Sequence, residues 1–251
     1  MGIFMRINNI VTISGGLTSA YVAKIVLENN DAELIFTDTG WEDFDLYRFL
    51  NNLEKLFNQK IIRLKHDKYN NPEELFNKHG ILGSNRVPNC SRVLKVEVLQ
   101  KYLKEKYSNN CKVYFGIDYS EKHRADRIKY QYDKLGIETK FPLVDSKDFF
   151  IKDKITNWLK ENNIEIPRLY KDGYIHNNCS GGCVRAGKKS WLHLLKTNPE
   201  VYRERERVET EFKNGQYTFM KDISLKQLRE EQDKHCNLFE DEMPCVCFEI
   251  D

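Results

Sequence analysis

Two constellations in this 251-residue chain have the residue types to do chemistry. The first is Ser14-Gly15-Gly16-Leu17-Thr18-Ser19, which follows a β-branched run at residues 10–13 and opens a helical pattern at Thr18. A strand that turns into a helix through two glycines leaves main-chain N–H groups pointing outward at the helix start. That end attracts anions through those groups and through the helix dipole. Glycine lets the backbone approach a phosphate closely, and Ser14, Thr18 and Ser19 add hydroxyl donors. The spacing is neither the GxxxxGK[ST] of a Walker loop nor GxGxxG. An ordinary strand-helix turn has the same outline, so the motif is read together with its surroundings.

The second constellation is sulfur. Cys179 and Cys183 flank Ser-Gly-Gly, and Cys245 and Cys247 form C-x-C. No apolar run approaches the ~20 residues of a membrane span, and the opening MGIFMRINN has no hydrophobic signal core. A cytoplasmic protein is therefore expected, its seven cysteines being metal ligands, reactive thiols or core residues rather than a disulfide framework. Cys179, Cys183, Cys245 and Cys247 together suit a four-thiolate site for zinc or for an iron–sulfur cluster. Two reduced thiol pairs without metal are the competing outcome, and His176 is an alternative ligand. Cys111, leading a strand, reads as core, as does Trp191, and Cys236 is assigned no role.

The elements that must position these groups alternate. Strands are expected at residues 32–37, 60–65, 112–115 and 139–143, and helices at 44–57, from Pro72, at 92–105 and at 150–160. Further helices are expected at 188–196, 200–212 and 225–234. Strand-helix-strand alternation argues a doubly wound, mostly parallel α/β sheet. Asp38-Thr39-Gly40 falls just past a strand end, where such sheets bind ligands. The character changes near residue 170, so the expected division is a nucleotide-binding α/β domain at 1–170. Residues 171–251 then form a helical, cysteine-containing extension packed on it. The charged run at residues 203–209 reads as a solvated helix face. With 40 basic and 38 acidic residues the chain shows no general polyanion-binding surface.

The motifs in order are SGGLTS, FTDTGWED, PNCSRVLKVEVL, YFGIDYSEKHRADR, FPLVD, IPRLYKDGY and the cysteines. This series resembles the PAPS reductase-like, PP-loop ATP pyrophosphatase superfamily (adenine nucleotide alpha hydrolase-like). The resemblance implies an adenine nucleotide, ATP or a sulfonucleotide, with its phosphates at Ser14, Gly15, Gly16, Thr18 and Ser19. The adenine would lie at the backbone of Phe36 and Thr37, and Asp38 at the phosphate or metal end with Mg²⁺. Gly116 and Glu121 belong to the matching G-(I/V)-x-x-x-E-x-x-R segment, and Arg92, Lys95, Arg124 and Arg127 would supply cations for the phosphates. Cys90, in the C-x-R-x-x-K region, matches the first of two cysteines that hold a [4Fe–4S] cluster in APS reductases, which tilts the expectation from zinc to [4Fe–4S], but Ser91 replaces the second. Cys90 would then either join Cys179, Cys183 and a tail cysteine around a cluster or carry sulfur, with Arg92 favouring its thiolate.

Three functions follow from the resemblance. One is an enzyme that splits ATP to AMP and pyrophosphate to activate an acceptor for sulfur transfer, with catalytic roles for Cys90, Arg92, Lys95 and Asp38. Another is a reductase attacking a sulfonucleotide with a thiolate, although PCVCFEID stands in place of the reductases' E-C-G-L-H tail. The third is a non-catalytic nucleotide-binding partner of a nucleic-acid-associated system. The acceptor, whether tRNA, DNA or a small metabolite, stays open. No membrane partner is expected, and a homodimer is allowed.

Overall fold

The computed structural model of the chain describes residues 8–84, 86–146 and 151–234. Its contacts divide it into two units. One takes the residues up to 38 with 44–65 and 97–168, and the other takes 39–43, 66–96 and those from 169 onward.

The first unit is built on five parallel strands: β1 (Asn8–Thr12), β2 (Ala32–Thr37), β3 (Ile61–Leu64), β4 (Cys111–Tyr114) and β5 (Glu138–Lys140). Their order is β3-β2-β1-β4-β5. Val11 of β1 stands opposite Leu34 of β2 and Tyr114 of β4. Ile10, Val11, Leu34, Ile35, Phe36 and Val113 are buried, as expected when helices cover both faces of a parallel sheet. The Phe44–Leu56 helix supplies Leu46, Phe49, Leu50 and Leu53 to that core, at the i, i+3, i+4, i+7 spacing of one helical face. The chain moves outward from β1 through β2 to β3, then crosses back to β4 on the other side of β1. That reversal makes β1 and β4 the topological switch point of the sheet, at whose C-terminal side doubly wound sheets bind ligands.

The expected strand at 139–143 is only partly formed. β5 stops at Lys140, and Pro142–Asp145 is a helical turn with Pro142 in its first turn. Proline presets the helical φ there and lacks the N–H that a strand would need. The expected helix at 92–105 is also not uniform. A turn at Asn89–Ser91 runs into six π-helical residues, Arg92–Glu97, before regular α-helix resumes at Val98–Tyr107. Such wide turns are rare and are frequent at functional sites.

In the second unit, Asn71 caps the Pro72–His79 helix by accepting the Glu74 N–H at 3.0 Å. Helices at Lys188–Thr197, Pro199–Glu211 and Leu225–Lys234 enclose Trp191, Tyr202, Phe219 and Leu225. Trp191 stacks on Phe219 with centroids 5.8 Å apart and meets Tyr202 edge-on. The run at 203–209 is solvated, as expected, at Arg203, Glu204 and Arg207 but not throughout. Arg205 and Glu209 are 2% and 1% exposed. They continue the inward face of Tyr202 and Val208 at three- and four-residue spacing, so helical period overrides charge. Glu209 accepts the Phe219 and Leu225 N–H groups at 2.7 and 2.6 Å, while burial lifts its carboxyl above the ordinary value. Among the described residues no helix is long and apolar enough to cross a membrane.

Candidate functional site

Within the first unit, the turn after β1 is closed on itself. Ser19 Oγ donates to the Gly16 carbonyl at 2.9 Å and accepts from the Ser14 N–H at 3.1 Å, and Ser14 Oγ lies 3.1 Å from it. The Gly16 N–H donates to Ser14 Oγ at 3.3 Å. Gly15 holds φ at +79°, and a Cβ on it would lie 2.5 Å from the buried Leu46 side chain, so residues other than glycine are excluded twice over. Gly16 caps the Leu17–Leu27 helix with no side-chain hydrogen bond and no acidic residue in the first turn. The helix start thus has no carboxylate in its first turn to offset its positive end, a condition that favours an anion. The hydroxyls of Ser14 and Ser19, expected to act as donors, are committed to shaping the turn, and Thr18 is half-buried in the first helical turn.

β4 delivers Gly116 against that turn. A Cβ on Gly116 would sit 2.5 Å from both the N and Cα of Ser19, so the glycine allows the two segments after β1 and β4 to touch. Sequence spacing alone did not reveal this reason for a glycine. Asp38, 5% exposed at the end of β2, accepts from Tyr47 Oη at 3.0 Å and pairs with Lys65 Nζ at 3.4 Å. Beside it in β2, the Phe36 side chain is sunk in the core, and Thr37 is half-buried. Asp118 caps the turn that carries Glu121, and Glu121 pairs with the buried Arg124. Arg127 follows one turn later, half-buried.

The remaining candidates fall in the second unit, where Thr39, Trp41, Cys90, Lys95, Cys179 and Cys183 line one small cavity. Glu42 organises it. Its side chain is fully buried, Oε1 accepts from Thr39 Oγ1 at 3.0 Å and pairs with Lys95 Nζ at 3.0 Å, and Oε2 accepts the Cys179 N–H at 3.1 Å. Burial opposes the charge on Lys95, but Glu42 and the neighbouring cysteines hold its ammonium above the ordinary value. The Cys90 thiol is pushed up to about 12, mainly by desolvation and then by Cys179, with Lys95 pulling only partly the other way. The thiolate expected at Cys90 is therefore not the form its surroundings favour. Arg92, in the π-helical stretch, is exposed. Cys111 is buried in β4, as expected, and its thiol is lifted to about 11 by burial.

The metal expectation meets this geometry only in part. Cys90, Cys179 and Cys183 converge as soft donors on the cavity. Among the described residues no group of three or more His, Cys, Asp or Glu is spaced to hold a metal ion. Cys245 and Cys247 lie outside the described residues. Glu42 and Arg205 escaped sequence reasoning. The pairing of Glu42 with Cys179 spans 137 positions, and Arg205 sits in a charge run whose only clue is its spacing from Tyr202 and Val208.

Residues 8–189 match the phosphoadenosine phosphosulfate reductase domain, and the chain belongs to that family. It is 27% identical over 200 residues to an uncharacterised protein of Methanocaldococcus jannaschii, covering 76% of this chain and 45% of that one. It is also 27% identical over 169 residues to a phosphoadenosine 5'-phosphosulfate reductase of Buchnera aphidicola, covering 66% of each. The chain thus spans less than two thirds of the length of these relatives. Among solved structures, a phosphoadenylyl-sulfate reductase from Candida auris, determined as a phosphate complex, superposes with a TM-score of 0.52. The identity is 21%, over 69% of this chain and 82% of that one, and the likeness concerns the fold.

Proposed function

We propose that the chain is a nucleotide-dependent sulfur enzyme that splits ATP between its α- and β-phosphates and activates an acceptor for sulfur transfer. The observation that carries this reading is the preshaped turn at residues 14–19, where a helix with no carboxylate in its first turn starts beside glycines packed too closely for a side chain. In this reading the amides at the start of the Leu17–Leu27 helix hold the departing pyrophosphate, and Arg124 and Arg127 balance charge as it develops. Glu121 orients Arg124, and Asp38 stands at the end where Mg²⁺ would neutralise phosphate charge. The nucleotide's adenine takes the backbone at Phe36 and Thr37, with Gly116 giving room beside Ser19.

A second reading, reduction of a sulfonucleotide by a thiol, is favoured by the family and by the named reductase relative. A thiolate-held iron–sulfur or zinc centre at Cys179, Cys183, Cys245 and Cys247 belongs to the proposal, and no step is routed through it. One comparison separates the two reactions: pyrophosphate release from ATP against sulfite release from a sulfonucleotide with a thiol donor. Pyrophosphate is expected. Sulfite without pyrophosphate transfers the reading to the reductase, and neither product, with tight nucleotide binding, leaves a non-catalytic binding partner.

A further inference from the structure

We infer that the second unit carries a polynucleotide-docking face, built from the stretches that hold Arg86, Arg92, Arg185 and Lys188, and that the acceptor is a nucleic acid. The inference rests on the acceptor-activation reading above and names the acceptor's class.

The near balance of 40 basic and 38 acidic residues hides a local asymmetry. Three long stretches lack aspartate and glutamate altogether. One precedes Glu28 and includes the 14–19 turn. The others run between Glu74 and Glu97 and between Asp172 and Glu200. These last two meet within the second unit. Ser91 and Arg185 line the same cavity, and Leu82 packs in one core cluster with Val184 and Ala186. Arg86, Arg92 and Lys188 are exposed on them, and Arg185 is half-buried.

Helix stability does not account for the cations. Lys188 and Lys189 open the Lys188–Thr197 helix, which has neither an acidic residue in its first turn nor a side-chain cap. Lysines at that end oppose the helix dipole, and an incoming anion relieves both. Lys189 Nζ is buried without a hydrogen-bond partner among the described residues. Glu231 borders the face, 3.4 Å from Lys188 Nζ, with both side chains about half exposed. So open a pair is screened by water and salt and yields readily to phosphate.

Charge spread over two stretches exceeds what one small anion engages. Val87 and Ile175, 45% and 54% exposed, interleave it with apolar surface. A chain of phosphates bearing flat bases answers both features, and guanidinium planes can stack on unpaired bases. Two separate aliphatic side chains are too little for insertion into a lipid surface.

The test is binding of an oligouridylate, an oligothymidylate of equal length and bulk tRNA to the full chain, followed by fluorescence anisotropy at rising salt without ATP. Affinity should fall linearly with salt on logarithmic axes, the mark of phosphate neutralisation. Arg86→Glu and Lys188→Glu should each weaken binding about tenfold and lower the salt slope by about one. Lys55→Glu and Lys104→Glu, at exposed positions of the first unit, change net charge equally and should leave affinity unchanged. Tighter binding of the uridylate or tRNA identifies RNA as the source, and tighter binding of the thymidylate identifies DNA. Absence of binding, or equal losses in the two sets of variants, overturns the proposal. So does binding of polyglutamate or of phosphatidylserine vesicles as tightly as the oligonucleotides, a comparison made on the unaltered chain. Because ATP is absent, failure here is distinct from failure to release pyrophosphate.

Discussion

Gly116→Ala probes the candidate phosphate site without touching any group that would meet the nucleotide through its side chain. The new methyl carbon would lie 2.5 Å from the backbone N and Cα of Ser19, where ordinary contact begins at 3.4 Å. Backbone cannot rotate away as a side-chain tip can, so the start of the Leu17–Leu27 helix must retreat by about 0.9 Å. Hydrogen bonds to phosphate tolerate only a few tenths of an ångström, so a shift of this size breaks one or two of them. At about 1.5–3 kcal/mol for each bond to a charged group, affinity should fall roughly ten- to hundredfold or more. Overpacking should also cost about 1–3 kcal/mol of stability. Gly136→Ala is the matched control, since it strains a residue at φ +70° with nothing within 4 Å of the added carbon. It should lose about 1 kcal/mol of stability and no affinity. Titration calorimetry with ATP and thermal unfolding read both quantities. Wild-type affinity in Gly116→Ala, or equal losses in the two variants, refutes the reasoning.

Three further outcomes are expected. Glu42→Ala removes the carboxylate shared by Lys95 and the Cys179 amide and should cost about 3–5 kcal/mol in denaturant unfolding, the usual consequence of breaking a buried ion pair. Asn71→Ala should cost about 1 kcal/mol by loss of the helix cap, with nucleotide affinity unchanged. The Glu206 carboxyl is held below its ordinary value by hydrogen bonds from Arg229 at 2.8 Å. That stabilisation is fully present above pH 4.5, the unfolded value, and is lost as pH falls through the lower folded one. Acid titration of stability should therefore be shallower in Glu206→Gln, and an unchanged acid limb argues against the pair's contribution.

The sheet was legible because its strands are apolar runs set between helices of strong period, and β2 falls where its sequence pattern ends at Thr37. The 14–19 turn was legible as a glycine-bearing strand-helix junction, but the use made of its hydroxyls was not. Ser14 and Ser19 could as well have faced a ligand, and only the folded turn shows them bonded to each other. The interrupted helix after Cys90 has no local signal, because a π-helical stretch uses the same residue types as an α-helix. Glu42 and Arg205 were hidden for a different reason. A lone charged residue is read as solvated by default, and what reverses that reading is a partner far along the chain.

Leu46 occupies the space that a side chain at position 15 would fill, and it is anchored in the core by its own helix. The consequence is kinetic. On the proposed reading, a tetrahedral oxyanion arriving at residues 14–19 would meet a receptor whose curvature was fixed during folding, so little ordering entropy would be spent on capture. Association there should proceed at the pace of encounter, without a slow loop-closing phase, and residence time rather than arrival should distinguish one nucleotide from another.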